Sequence, residues 1–319
     1  MKHLRLAPEN TKFGFMRFRR VSYPLSAALS IVSVVMFLFV GMNYGIDFAG
    51  GTQVDLRAKS GAAHIAEIRS KGDSLGLGPV EVQRIGGQSD VLLRLSVQPG
   101  GDAGQEKAVA RVRDAFSNDY EFRSVDAVGP TVSAELVQSG TLGVVVAIIA
   151  VLTYLWFRFE WQFAVGAIIG TMHDLLLTVG FFCVTQLEFN QTSIAAILTI
   201  VGYSLNETVV VLDRIRETMR KYKRLSTAEI IDMSINAVLP RTIMTATTVF
   251  LALLALFFLG GHVIRSFSAA MIWGICVATY SSIFICSPML IYMGVRADVF
   301  DKPKDQGAGA TRVEERVKA

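Results

Sequence analysis

One carboxylate in this sequence lies where a carboxylate is costly. Residues 201–217 read VGYSLNETVVVLDRIRE, and Asn206 and Glu207 interrupt an apolar run about two helical turns before the charged group that begins at Asp213. Charged side chains inside a bilayer cost a few kcal/mol or more, and those that persist mark ion pathways or buried pairs. Glu207 is therefore a candidate for proton transfer. The alternative interpretation is a structural ion pair that orients two helices.

A candidate counter-charge lies at the start of the next apolar run. Arg241 shares a predicted helix face with Thr245 and Thr248. Because the two runs are predicted to be antiparallel, Glu207 and Arg241 enter the membrane at comparable depth from the same side. The pattern allows these two side chains to pair, with Thr245 as a supporting hydroxyl. An arginine this close to the boundary can instead extend to the lipid headgroups, so both interpretations stay open.

Other polar positions in the apolar runs support this candidate site. His173 and Asp174 lie near the middle of an earlier run, where a satisfied hydrogen-bonded pair is a commoner finding than a proton relay. Asn206 lies on the helical stripe next to Glu207. Asp213 is interpreted as part of a solvated helix end that anchors the topology, with proton entry as the less common alternative.

The composition is that of an integral membrane protein. The 319 residues are 52% hydrophobic and only 18% charged, and the mean hydropathy is +0.45. The net charge of +4 comes from basic residues beside apolar runs, which insertion topology requires, so no nucleic-acid partner is expected. The three cysteines lie in apolar runs without metal-ligand spacing, so neither a metal site nor a cofactor is expected: Cys183, Cys276 and Cys286.

The apolar runs predict an all-α membrane bundle of six transmembrane helices. A basic cytoplasmic segment, 1–20, precedes the first helix at 21–41, which is interpreted as an uncleaved span. Five more helices are predicted in 135–294, at about 137–157, 162–184, 192–212, 239–259 and 266–293. The basic residues place the loop 213–238 and the tail 295–319 in the cytoplasm, together with the N-terminus.

Residues 42–134 break the membrane pattern and predict an inserted α+β domain. Alternating runs at 52–57, 80–85, 90–97 and 121–128 flank helix-like runs at 62–75 and 104–116. This βαββαβ order is typical of a ferredoxin-like domain. Between Asp47 and Glu135 there are 13 acidic and 10 basic residues, a balance that favours the side of the membrane opposite the N-terminus.

Five motifs in the same order carry a family resemblance. They are GIDFAGGT (45–52), VGPTVSAEL (128–136), WFRFEW (156–161), HDLLLTVGFF (173–182) and the 201–217 stretch. Together they resemble the SecF family of subunits of the bacterial SecD–SecF protein-export complex, over about residues 44–293.

The resemblance implies a function that the composition does not. Proteins of this family belong to the resistance-nodulation-division superfamily and lie in the inner membrane with both termini cytoplasmic. The implied partners are SecD, the SecY-SecE-SecG channel, YidC as a further candidate, unfolded secretory proteins and membrane lipids. The family uses the proton gradient to draw secreted chains outward, and its domain between the first two helices is periplasmic.

The resemblance also assigns residues. The family's acidic residue in GYS-x-x-D corresponds to Glu207, and the basic residue that begins the next span corresponds to Arg241; both are implicated in proton passage. Here Glu replaces the usual Asp, which keeps the titrating carboxyl and adds one methylene. We expect two joints to transmit motion to the inserted domain, Gly50-Gly51 and Gly129-Pro130.

Two other function classes stay open at this stage. The sequence contains no GxxxxGK[ST], HExxH or GxSxG, so no enzyme is predicted and energy must come from an ion gradient or a partner. One alternative is an exporter of small molecules or lipids from the same superfamily, and the other is a non-transporting structural subunit of the translocation channel. The sequence does not decide between H⁺ and Na⁺ as coupling ion.

Overall fold

The computed structural model of this chain describes residues 11–85 and 87–295, except for the side chains of residues 262 and 263. The predicted terminal segments therefore fall largely outside the described residues, at 1–10 and 296–319.

Six helices in the described residues are long and apolar enough to cross a membrane, as the sequence predicts. The first is α1 (Arg19–Phe39), which a short 3-10 turn precedes. The other spans are α5 (Pro130–Arg158), α6 (Trp161–Thr185), α7 (Gln191–Lys221), α8 (Thr227–Leu259), and a composite last span of α9 (Gly261–Ser281) and α10 (Ser287–Tyr292).

Three of these spans form the centre of the bundle. The share of residues buried in the most apolar window is 56% for α6, 44% for α7 and 61% for the last span, against 17% for the first span, 6% for α5 and 11% for α8. Polar side chains on the inner faces of the three central spans are therefore shielded by protein. Many large apolar side chains of α1, α5 and α8 remain exposed, as expected for helices that face lipid or another protein.

Glycines allow the central helices to approach closely. A methyl group at Gly170 on α6 would overlap Sγ of Cys286, and one at Gly274 on α9 would overlap Ile200 on α7. Small residues commonly bring membrane helices together in this way. By contrast, a methyl group at Gly143 on α5 would meet nothing within 4 Å. Gly143 therefore does not bring α5 close to another helix of this chain, whereas at Gly140 a methyl group would overlap Ile194 on α7.

The segment 213–238, predicted to be a loop, is largely helical. Helix α7 continues to Lys221, and α8 is continuous over Thr227–Leu259 with Pro240 inside it. Proline lacks the N–H donor and crowds the preceding turn, but neighbouring helices in membrane proteins tolerate the local adjustment. Ser226 caps α8 and forms a capping box with Glu229.

The last span contains a feature that the sequence does not signal. A π-helical turn, Ser282–Cys286, separates α9 from α10. Its carbonyl oxygens are available to α1: Ser22 Oγ donates to Phe284 O at 3.2 Å, and Tyr23 OH donates to Ile285 O at 2.7 Å. This turn therefore attaches the first span to the centre of the bundle.

Between α1 and α5 the chain forms a small domain with one antiparallel four-stranded sheet. The strands are β1 (Gly51–Ala58), β2 (Val80–Arg84), β3 (Asp90–Leu95) and β4 (Tyr120–Val128), in the spatial order β2-β3-β1-β4. Helix α3 (Ile65–Asp73) lies between β1 and β2 in the chain, and α4 (Gly101–Phe116) between β3 and β4. Alternate strand residues and both helices enclose an apolar core that includes Val54, Leu93 and Phe116. A short helix, α2 (Ile46–Ala49), leads into β1.

Candidate functional site

Glu207 lies on the inner face of α7 and is only 3% exposed. Its Oε1 accepts a hydrogen bond of 3.1 Å from Thr245 Oγ1 on α8. Its Oε2 is also buried and has no hydrogen-bond partner among residues 11–85 and 87–295. A buried carboxylate normally has more donors than this, so Glu207 is incompletely satisfied by the protein.

The expected pair with Arg241 is not formed. Arg241 is exposed, and the ion pairs found within the described part of the chain do not join it to Glu207. Thr245, one helical turn further into the membrane on α8, contacts the carboxylate instead. A long arginine side chain near the boundary can extend along the helix surface, and its position here agrees with that second interpretation.

Buried hydroxyl groups that have no hydrogen-bond partner in the described residues lie on α7, α8 and α9. The hydroxyl of Tyr203, one turn earlier on α7, faces Thr245 and Thr279. The side-chain oxygens of Tyr203, Thr279 and Thr242 are buried, and none has a hydrogen-bond partner in the described residues. Buried polar groups of this kind are usually satisfied by water. The region between α7, α8 and α9 therefore offers a carboxylate and several hydroxyls that could hold or exchange a proton.

A second buried carboxylate, Asp174 on α6, has a different environment. Its Oδ1 lies 3.0 Å from Nδ1 of His173. Its Oδ2 accepts from Ser204 Oγ on α7 at 2.6 Å and from Ser281 Oγ on α9 at 2.8 Å. Asp174 thus connects the three central helices, which agrees with the sequence expectation of a satisfied hydrogen-bonded pair.

The serines that complete this network were missed at the sequence level. Ser204 and Ser281 are both fully buried, but a lone serine in an apolar helix can bond to its own backbone and gives no distinct signal. Ser204 precedes Glu207 by three residues, so the two carboxylate sites lie about one turn apart along α7. The two carboxylate sites are therefore connected through α7.

Two ion pairs connect the C-terminal half of α7 to the chain between α5 and α6. Arg158, the last residue of α5, pairs with Asp213 at 2.5 Å, and Glu160 in the turn between α5 and α6 pairs with Arg216 at 2.5 Å. Asp213, which the sequence assigns to a solvated helix end, keeps 38% of its side chain exposed and is also paired. Each of these ion pairs joins one residue of the WFRFEW motif to one residue near the end of the 201–217 stretch. Asn206, by contrast, is exposed on the outer face of α7.

The predicted joints lie in the two segments that connect the small domain to the bundle, and the backbone packs closely there. Gly50 and Gly51 have φ values of +72° and +120°, which favour glycine. A methyl group at Gly51 would overlap Leu95 O, and one at Gly129 would overlap the carboxylate of Asp102. Gly129 caps α5, and Pro130 is its first residue. Because Gly51 pairs with Val128 in the sheet, the two connections between domain and bundle run side by side.

Comparison with known families gives two matches. The model described as "Protein export membrane protein SecD/SecF, C-terminal" matches residues 108–296, and the "SecD/SecF GG Motif" matches residues 35–62.

Curated relatives agree with these matches. A protein translocase subunit SecF from Rickettsia akari (strain Hartford) is 42% identical over 289 residues, which cover 90% of this chain and 94% of that protein. A protein translocase subunit SecDF from Brucella abortus biovar 1 (strain 9-941) is 42% identical over 308 residues. That match covers 97% of this chain and 40% of the longer relative.

A solved structure has a similar fold. The crystal structure of SecDF, a translocon-associated membrane protein from Thermus thermophilus, superposes with a TM-score of 0.80 at 33% identity. The superposition covers 91% of this chain and 40% of that one. A second structure, of SecDF in a super-membrane-facing form, gives a TM-score of 0.66 at 32% identity, over 97% of this chain and 40% of that one.

Proposed function

The chain belongs to the SecD/SecF family of protein-export membrane proteins as a SecF-type translocase subunit, and from this premise we propose that it uses the proton gradient to assist protein export. The chain is a multi-pass membrane protein. The observation that carries the proposal is the buried Glu207 carboxylate, which has one hydrogen-bond donor and one oxygen without a partner in the described residues.

In this proposal, Glu207 takes up and releases the coupling proton. Protonation removes a negative charge from the interface of α7 and α8, and the hydrogen bond from Thr245 then loses its charge assistance. Only 11% of the most apolar window of α8 is buried within the chain, so a change at this bond favours movement of that part of α8 relative to α7. One charge that crosses ~100 mV supplies about 2.3 kcal/mol, which suits repeated small steps between two states.

Arg241 has a part in the same pathway. It lies on α8 one turn from Thr245, and its side chain is exposed. We infer that Arg241 approaches the carboxylate in one state of the cycle and withdraws in the other, so that its positive charge favours proton release in the first. The additional methylene of Glu207, relative to the family's Asp, extends the carboxylate toward α8. Asn206 and Asp213 remain supporting candidates for proton entry, together with His173 and Asp174.

We also infer where the chain lies. The order β2-β3-β1-β4 with antiparallel pairs supports a ferredoxin-like assignment for the small domain. We place this domain in the periplasm, both termini in the cytoplasm and the bundle in the inner membrane, because the basic residues concentrate at the other end of the spans. The joints at Gly50-Gly51 and Gly129-Pro130 would then transmit movement outward.

The partners follow from the exposed faces and from the family. The apolar faces of α1, α5 and α8 support a second membrane subunit, and SecD is the proposed occupant. The SecY-SecE-SecG channel, YidC, unfolded secretory proteins and membrane lipids are proposed as further partners. The subunit is proposed to have no enzymatic activity of its own.

The test compares two substitutions at the site with one outside it. Glu207→Gln and Arg241→Met are expected to remove most of the gradient-dependent part of protein export into membrane vesicles. The matched control is Glu217→Gln, which removes an exposed carboxylate on the same helix whose partner among the described residues is Arg214.

Unchanged gradient-dependent export in both site variants would sink the proposal. If collapse of the gradient leaves export by the native protein unaltered, the chain acts instead as a structural subunit.

A further inference from the structure

The small domain is attached to the beginning of α7, the helix that carries Glu207. Asp47 in α2 accepts a hydrogen bond of 2.9 Å at Oδ2 from the backbone N–H of Gln191. Gln191 is the first residue of α7. A carboxylate at a helix N-terminus satisfies a free N–H group and is favoured by the helix dipole. Asp47 therefore connects the GIDFAGGT segment directly to this helix.

An ion pair reinforces this attachment from the sheet. Arg94 on β3 pairs through Nη2 with Oε2 of Glu188 at 2.9 Å, and the two side chains are only 16% and 15% exposed. Glu188 lies three residues before α7 begins. Because both partners are shielded from solvent, this pair is held more firmly than an ordinary surface salt bridge. Arg94 also points Nη1 toward Tyr44 O at 3.5 Å.

Backbone hydrogen bonds align the two segments. Gly45 N donates to Phe189 O at 2.8 Å, and Phe189 N donates to Asn43 O at 2.7 Å. The ring of Phe48 packs on that of Phe189 with centroids 5.6 Å apart. A methyl group at Gly45 would come within 2.5 Å of Glu188 Oε1, so the segments approach as closely as glycine permits. The contact is thus specific in both backbone and side chains.

We propose that Asp47, Arg94 and Glu188, which we call the domain latch, are positioning residues that couple the protonation of Glu207 to movement of the small domain. The proposal rests on the proposed function. Helix α7 is continuous from Gln191 to Lys221, so a displacement at Glu207 reaches the latch about 24 Å away along a single rod. The latch then passes the displacement to β3 through Arg94 and to β1 through α2.

A purely structural role predicts something different. If the latch only holds the domain in place, its removal lowers stability, but the domain still responds to the charge of Glu207 through its connections at Gly50-Gly51 and Gly129-Pro130. The measurement must therefore report the response of the domain and not only the folded state.

The experiment measures distances between spin labels at Ser60 in the small domain and Val184 at the end of α6, which are both exposed. The full chain is reconstituted with its SecD partner in liposomes, with Cys276, the one exposed cysteine of the described residues, changed to serine. Glu207→Gln serves as a mimic of the protonated state. In the otherwise native protein this substitution is expected to shift the distance distribution.

In the latch variant, Asp47→Ala with Arg94→Gln, the shift caused by Glu207→Gln should fall to less than half. Arg57→Gln is the matched control, because Arg57 pairs with Asp90 in the same sheet and lies outside the latch. The exchange of charges, Arg94→Glu with Glu188→Arg, should recover the shift that Arg94→Glu alone abolishes, which excludes misfolding as the cause.

A full shift in the latch variant overturns the latch and leaves the proposed function intact. Failure of the exchanged pair to recover the shift overturns the role of the ion pair. If Glu207→Gln causes no shift in the otherwise native protein, both the latch and the proton-driven movement fail.

Discussion

The two buried carboxylates of this bundle, Asp174 on α6 and Glu207 on α7, have opposite environments. Ser204, which binds Asp174, lies about one helical turn from Glu207 on α7. Asp174 has three side-chain neighbours in hydrogen-bond range, and both of its oxygens are used. Glu207 has one donor, and its second oxygen has no partner in the part of the chain that the structure describes. A satisfied network fixes the arrangement of helices, whereas an incompletely satisfied carboxylate gains or loses a proton with less structural cost.

The helices that supply the donors explain the contrast. Ser204 and Ser281 belong to α7 and to the last span, which are well packed at the centre. Thr245 belongs to α8, of which only 11% of the most apolar window is buried. Separation of α8 from α7 would therefore free Glu207 and leave the Asp174 network intact. The central helices thus provide a fixed frame, and α8 is the element that can move against it.

The largest expected loss of stability comes from substitution of Asp174, the carboxylate whose two oxygens both have hydrogen-bond partners. Asp174→Ala removes the acceptor of His173 and of Ser204, whereas Ser281 keeps a bond to Ala278 O. At about 1 kcal/mol for each of the first two groups, the free energy of unfolding should fall by about 2 kcal/mol. Denaturation of the protein in detergent, followed by circular dichroism, measures the loss. Asp174→Asn, which keeps one acceptor oxygen, should lose less. If Asp174→Ala costs no more stability than Glu207→Gln, the comparison between the two sites is wrong.

At Glu207 we expect a smaller loss of stability and a clear loss of function. Thr245→Val removes the one donor that Glu207 has in the described residues and should cost about 1 kcal/mol or less, because the hydroxyl also bonds to carbonyls of its own helix. Gradient-dependent export should nevertheless fall. Thr248→Val is the matched control, since within the part of the chain that the structure describes Thr248 bonds to Met244 O and Thr245 O of its own helix. Equal export in both variants would contradict a special role for Thr245.

The smallest effect concerns a carboxylate outside the membrane. The guanidinium of Arg57, hydrogen-bonded to Asp90, holds the pKa of that carboxyl below its ordinary value. The pair therefore stabilises the small domain above the unfolded pKa of about 3.9, and this contribution is lost as the pH falls through the lower folded-state pKa. The pair is partly exposed, so solvent screens it and the effect is small.

Urea unfolding of the full chain, followed by a label at Ser60, tests this at pH 7, 5 and 3. Stability should be similar at pH 7 and 5 and lower at pH 3, and Asp90→Asn should reduce that difference. A decline already complete at pH 5 would show that Asp90 is not the group responsible.

Much of the fold was predictable because it depends on local patterns. Apolar length identifies the spans, and the strand and helix runs between Thr52 and Val128 lie within a few residues of the observed elements. The continuous α8 and the π-helical turn at Ser282–Cys286 were not predictable in this way. Both depend on neighbouring helices that satisfy local irregularities of the backbone, and a single helix sequence carries no record of its neighbours.

The sequence by itself identified Glu207, since an acidic residue in an apolar run is costly wherever the helix packs. Only the tertiary structure decided its neighbours: Thr245 contacts the carboxylate and Arg241 does not. It likewise brought Ser204 and Ser281 to Asp174. The physical reason is that helical periodicity fixes which residues share a face, whereas the rotation and separation of two helices depend on side-chain packing along their whole contact.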